Sequence, residues 1–137
     1  MSKTEKKAPP AFIFGQRPKH IEDTVKFPLP DGTQADVKTQ FVYRTRKEFG
    51  ALWDEISASG QELAKPVEGE TITYEGLMGK GNETNAKNAL KYISGWEGVP
   101  VELNAASLEQ LFDEAPAASP AFWDAYRNAV LTGRLGN

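Results

Sequence analysis

From Asn85 to Asn137 the sequence carries helix starts and stops at short intervals, and this punctuation restricts the fold more than any other feature. Ala86, Leu90 and Ile93 recur at helical spacing, and the run Gly95-Trp96-Glu97-Gly98-Val99 breaks them off. Gly95 is expected to stop that helix in a left-handed conformation, with Trp96 folding back on Leu90. Asn104 has the side chain to cap a second helix carrying Leu108, Leu111 and Phe112. Leu103 and Leu108 stand at the positions of a hydrophobic staple. That helix ends before Pro116. Ser119-Pro120 reads as a cap followed by proline in the first turn of a third helix, with Phe122, Trp123, Tyr126 and Val130 as its apolar stripe and Gly133 as its stop.

Ahead of Asn85 the apolar period changes from helical to two. Val25, Phe27 and Leu29 alternate with Lys26, Pro28 and Pro30, while Ala35, Val37, Thr39, Phe41 and Tyr43 alternate on a returning strand. Pro30-Asp31-Gly32 between them has the residue types of a tight turn, so a β-hairpin is expected. Pro28 lacks a backbone donor, which assigns the first strand to a sheet edge. A lone hairpin is marginal in water, so its apolar face needs helices or a third strand against it. Thr45 and Glu48 have capping-box spacing and open a helix through about Ser57, in which Phe49, Leu52, Trp53 and Ile56 form the core stripe. Arg44, Arg46 and Lys47 read as the solvated end of that junction.

The segments outside these elements are less constrained. Residues 1–19 read as a disordered or loosely docked leader, polar and lysine-rich as far as Pro9-Pro10. Ala11-Phe12-Ile13-Phe14-Gly15 within it is an apolar cluster that either docks on the body or serves as a partner motif, and the rarity of exposed apolar clusters favours docking. Residues 59–82 are rich in Gly, Glu and Lys and read as a flexible loop with one short candidate strand at Thr71 to Tyr74. Gly76, Gly79 and Gly81 fit no phosphate loop, because Lys80 is followed by glycine rather than Ser or Thr. The expected fold class is α+β: a single domain over 20–137, with an N-terminal hairpin packed on a mainly helical C-terminal half of about four helices.

Composition narrows the functional classes. With no cysteine among 137 residues there is no disulfide framework, thiol nucleophile or cysteine metal site. One histidine, His20, rules out multi-histidine metal sites and leaves serine or threonine nucleophiles without a well-placed base. Asp113-Glu114 and Glu97 look like solvated charges, and no motif selects a catalytic carboxylate pair. A formal net charge of -3 disfavours a nucleic-acid surface. No apolar run approaches the roughly 20 residues of a membrane span, and no secretory signal is recognisable. The reading is a non-enzymatic, soluble binding protein with no cofactor and no metal, retained in the cell that makes it.

Two stretches carry a resemblance. The run Phe41-Val42-Tyr43-Arg44-Thr45-Arg46-Lys47-Glu48-Phe49, followed later by Trp96-Glu97-Gly98-Val99, resembles the tail assembly chaperones of long-tailed bacteriophages and their prophages. So does what comes after: Leu108-Glu109-Gln110-Leu111-Phe112, the break at Glu114-Ala115-Pro116, the helix with Phe122-Trp123-Asp124-Ala125-Tyr126, and the closing Thr132-Gly133-Arg134-Leu135-Gly136-Asn137. The likeness covers about Thr24 to Phe49 and Ala86 to Asn137. It implies a protein of the bacterial host cytoplasm that coats the tape-measure protein, keeps it soluble, helps recruit tail-tube subunits and leaves before the virion is finished. Self-association is left open; nucleic acid and membrane are not expected partners. Phe112, Trp123, Tyr126 and Leu131, in the helices that carry the likeness, are the candidate partner-binding residues for an amphipathic client helix. The competing reading is a structural tail or head-tail joining protein that stays in the particle.

Overall fold

A computed structural model describes residues 11–65 and 68–135; the polar part of the leader, Met1 to Pro10, lies outside the described residues. Strands β1 (His20–Pro28) and β2 (Gln34–Val42) form the expected hairpin, and β3 (Ile93–Glu97) joins it in an antiparallel sheet of order β1-β2-β3. Four helices complete the α+β domain: α1 (Arg46–Ala64), α2 (Tyr74–Ala89), α3 (Ala105–Glu114) and α4 (Ala118–Thr132).

The hairpin register follows from its alternation. Val25 pairs with Val37, and Val25, Phe27, Val37 and Phe41 are buried on one face while Lys26, Asp36 and Lys38 stay in solvent. The turn closes through Gly32 N to Leu29 O at 2.9 Å and Leu29 N to Thr33 O at 2.8 Å, with Gly32 at φ 90°. β1 is an edge strand, which accommodates Pro28.

Burial closes the sheet's inner face beneath α4 and the ends of the other helices. Phe27 touches Phe122 of α4, with ring centroids 5.8 Å apart, and Phe41 touches Tyr126 at 5.4 Å. Phe122 also meets Phe112 of α3 at 6.4 Å, over Leu108, Ala115 and Ala118. Each large apolar side chain fully buried here contributes roughly 1.5–3 kcal/mol of transfer free energy, and α2 adds only small residues, Ala86 and Ala89.

Helix ends agree with the sequence in three places. Thr45 Oγ1 accepts from Glu48 N at 3.2 Å while Glu48 Oε1 accepts from Thr45 N at 2.9 Å. Asn104 Oδ1 accepts from Ser107 N, and Gly133 ends α4 with φ 69°. The start of α4 differs from expectation. Its cap position is Ala117, with no side-chain hydrogen bond, and Ser119 and Pro120 lie inside the first turn. The turn is held from outside instead, by Ala118 N donating to Ala115 O. Pro120 is tolerated because a first-turn N–H has no intrahelical acceptor to lose.

The larger corrections concern the middle of the chain. α1 runs to Ala64 rather than ending near Ser57. Thr71 to Tyr74 is not a strand: Thr73 caps α2, with Oγ1 accepting from Gly76 N at 3.0 Å, so Gly76, Gly79 and Gly81 lie within a helix. Gly95 does not stop a helix. α2 ends at Ala89, a turn follows, and Ile93 to Glu97 pairs with β2, with a register shift between Gln40 and Phe41. A Cβ on Gly95 would lie 2.9 Å from Gln40 Oε1, the free end of a side chain that can move aside. Trp96 does not fold back on Leu90 to close a helix end; it pairs with Thr39, and its indole donates to Val101 O at 2.9 Å. Gly98, at φ 106°, brings the following turn against β2, where a Cβ would sit 2.6 Å from Asp36 O.

Candidate partner-binding groove

The start of α1 is tied to the leader and to α4 by polar contacts that the sequence did not announce. Arg17 donates to Glu48 at 2.8 Å, and its guanidinium lies 4.9 Å over the Tyr43 ring. The Arg17 hydrogen bond, with the Thr45 N–H behind it, lowers the Glu48 carboxyl to about 2. Arg44, expected as a solvated end, donates to Tyr126 Oη at 3.0 Å, and that phenol donates to Val42 O at 2.8 Å. Burial raises the Tyr126 phenol above its ordinary value, against the opposing pull of Arg44.

Aromatic rings spread outward from this point. Tyr92 stacks on Tyr126 at 5.1 Å and meets Trp123 edge-on at 5.4 Å; Phe49 stacks on Trp123 at 5.3 Å. Trp53, 42% exposed, closes the set edge-on to Trp123 at 6.0 Å. Between α1, α2 and α4 these rings leave a groove of about 340 Å³, lined by Ile56, Tyr92, Pro120 and Trp123 with Asn85, Asn88 and Ser119. Its walls are mainly apolar, with amide and hydroxyl groups at intervals, which is the pattern of a site that takes an apolar side chain and orients it. Burial, with Asp124 adding to it, pushes the Tyr92 phenol well above its ordinary value, so it remains a neutral donor. Asn88 is buried and accepts from Lys91 Nζ at 3.2 Å. Among the described residues no group of three or more His, Asp or Glu side chains is placed to hold a metal, and no helix is long and apolar enough to cross a membrane.

The four residues singled out from sequence fall at different depths. Tyr126 is 0% exposed and Phe112 4% exposed, so both are core. Trp123 is half-buried and forms one wall of the groove; Leu131 is half-buried near the end of α4 and packs against the core edge. Trp123 and Tyr126 are neighbours, whereas Phe112 sits apart, against Phe122. Ile56, Tyr92 and Pro120 were not singled out. Ile56 was visible as the last member of the α1 stripe, but Tyr92 sat where a helix was expected and gave no signal.

Searches of curated proteins and of solved structures returned no significant match. A comparison with family models gives a match over residues 6–137, to the family described as phage tail assembly chaperone. The match runs through the hairpin, the groove helices and the closing segment alike, and the chain belongs to the phage tail assembly chaperone family.

Proposed function

We propose that this chain acts by binding, without chemistry of its own, and that its client is the tape-measure protein, which it keeps soluble in the host cytoplasm while helping to recruit tail-tube subunits. Family membership supports a chaperone role in tail assembly. The single observation that carries the client reading is the groove between α1, α2 and α4, with Tyr92 and Trp123 in its lining and the exposed Trp53 ring against that of Trp123. An amphipathic helix presents apolar side chains at one-turn intervals, and an aromatic-lined groove between helices is its natural receptor. Trp123 is then the direct contact, Tyr126 and Phe112 hold its helix in place from beneath, and Leu131 extends the apolar surface toward the end of α4.

Co-expression with the tape-measure protein, followed by size exclusion with light scattering, tests this. A soluble complex containing several copies of this chain is expected, and Trp53→Ala with Trp123→Ala should return the client to the insoluble fraction while the variant chain stays folded. Tyr126→Ala is the wrong probe, because its ring is core. A tape-measure protein that precipitates regardless, together with this chain in purified particles, would replace the chaperone reading with a structural tail or head-tail joining component.

A further inference from the structure

Two kinds of mismatch between side chains and their surroundings remain. On the surface, Phe12 is 84% exposed and Phe14 90%, with their rings edge-on to each other at 5.3 Å, so the docking expected for this cluster is not seen. In the groove between α1, α2 and α4 the mismatch runs the other way. Tyr92 is 3% exposed and lines the groove, yet its hydroxyl makes no hydrogen bond to any described residue. A buried phenol ordinarily has a partner, as Tyr126 has in Val42 O and Arg44. Asn88, also buried and in the same lining, is half-satisfied. Its Oδ1 accepts from Lys91, whose Nζ is held 3.3 Å from Glu55 of α1, while its Nδ2 makes no hydrogen bond to any described residue. The groove therefore holds two buried donors with nothing inside the chain to receive them.

We propose that these donors select the client: the groove takes a tape-measure helix whose apolar stripe is interrupted by one asparagine or glutamine, and the Tyr92 hydroxyl and the Asn88 amide donate to that side chain's carbonyl oxygen. This rests on the client reading above and adds which residue the client carries. The acceptor has to be a side chain, because the backbone carbonyls of a client helix are engaged within it. It has to be uncharged. The lining contains no charged side chain, and the Asp124 carboxylate acts on the Tyr92 phenol from nearby, so a client carboxylate would lose its hydration and meet a like charge. A serine or threonine hydroxyl bonds back readily to a carbonyl one turn earlier in its own helix. A carboxamide offers an oxygen and two N–H donors, and the Asn85 carbonyl on α2 and the Ser119 hydroxyl on α4 are acceptors in the same lining. Ile56, Pro120 and Trp123 are then left for the apolar residues on either side. A wholly apolar client would bury the phenol and the amide without partners, so selection works by rejecting clients that lack the acceptor.

The probe is a set of overlapping peptides of about 20 residues, long enough for several helical turns, that covers the tape-measure protein and is titrated with the full chain by fluorescence anisotropy. Peptides that bind the wild type and are lost with Trp123→Ala are the groove ligands. Each should carry an asparagine or glutamine in its apolar stripe, and replacing that residue by leucine or methionine should weaken binding about tenfold. Tyr92→Phe should weaken the parent peptide by a similar factor, and the two losses should not add when both changes are made. Because the hydroxyl has no partner among the described residues, Tyr92→Phe should leave the denaturant midpoint unchanged or raise it, which a structural role would not allow. Groove ligands without a carboxamide, losses that add in full, or a Tyr92→Phe chain that binds as tightly as wild type would each overturn the proposal and leave the client reading standing. A lowered midpoint would also overturn it, by showing the hydroxyl engaged within the chain. If no peptide depends on Trp123, the client reading falls and the proposal with it.

Discussion

The two halves of α2 form under opposite rules. From Ala86 to Ala89 the helix buries Ala86, Asn88 and Ala89 against its neighbours, whereas from Tyr74 to Lys80 every residue is exposed. The buried half is set by packing. The exposed half contains Gly76, Gly79 and Gly81, poor helix formers, and depends on the Thr73 cap and on continuity with the packed half. The contrast teaches that helical conformation and core membership are separate properties of one segment, and that the unburied half is available for contacts outside the molecule.

Four substitutions or titrations break or sharpen that contrast. Phe122→Ala, in the core that holds the packed half, removes a fully buried ring between Phe27 and Phe112 and should cost about 3–5 kcal/mol in denaturant unfolding. Tyr126→Phe keeps the ring and removes the phenol that bridges Arg44 and Val42 O; a loss of about 1–2 kcal/mol is expected in the same assay. Gly79→Ala, in the exposed half, should instead stabilise by about 0.5–1 kcal/mol, since the added Cβ meets nothing within 4 Å and the helix gains propensity. A destabilising result there would mean that the exposed half is not helical in solution.

The smallest effect belongs to Glu48, at the start of α1. Its folded carboxyl titrates at about 2, below the ordinary value of 4.5, so its contribution to stability is present above the unfolded value and is lost as pH falls from 4.5 toward 2. Between those limits the wild type should lose slightly more stability than Glu48→Gln, and above pH 5.5 or so the two should run parallel. A carboxyl signal in NMR titration that moves near its ordinary value would show that the Arg17 contact does not persist.

Legibility in the sequence tracked locality. The hairpin, the Thr45–Glu48 box, the Asn104 cap and the Gly133 stop were readable because each is decided by residues within a few positions of one another. β3 was not, because Ile93-Ser94-Gly95-Trp96-Glu97 pairs with a strand that lies two helices earlier, and Ala86, Leu90 and Ile93 fall at helical spacing by themselves. The glycines of α2 read as loop for the same reason: their helix is completed from the packed end. Of the groove, Trp123 was named in advance, and Ile56 had been placed on the correct stripe. Tyr92 and Pro120 became visible only when α2, α4 and the end of β2 came together. The Arg17–Glu48 and Arg44–Tyr126 contacts were equally illegible, since long basic side chains at a junction give no pattern of their own.

The position of β3 also dictates an order of events as the chain folds. β1 and β2 are joined by a tight turn and can find each other at once, but Phe41 meets Ile93 only after α1 and α2 have been spooled out between them. Closing that long loop is entropically slow and is repaid only when the helices between have a surface to settle on. During synthesis, the hairpin emerges first and its inner face, carrying Phe27 and Phe41, waits for Phe122 and Tyr126 to leave the ribosome. Until the last helix arrives, this protein exposes the kind of apolar surface whose aggregation assembly chaperones guard against.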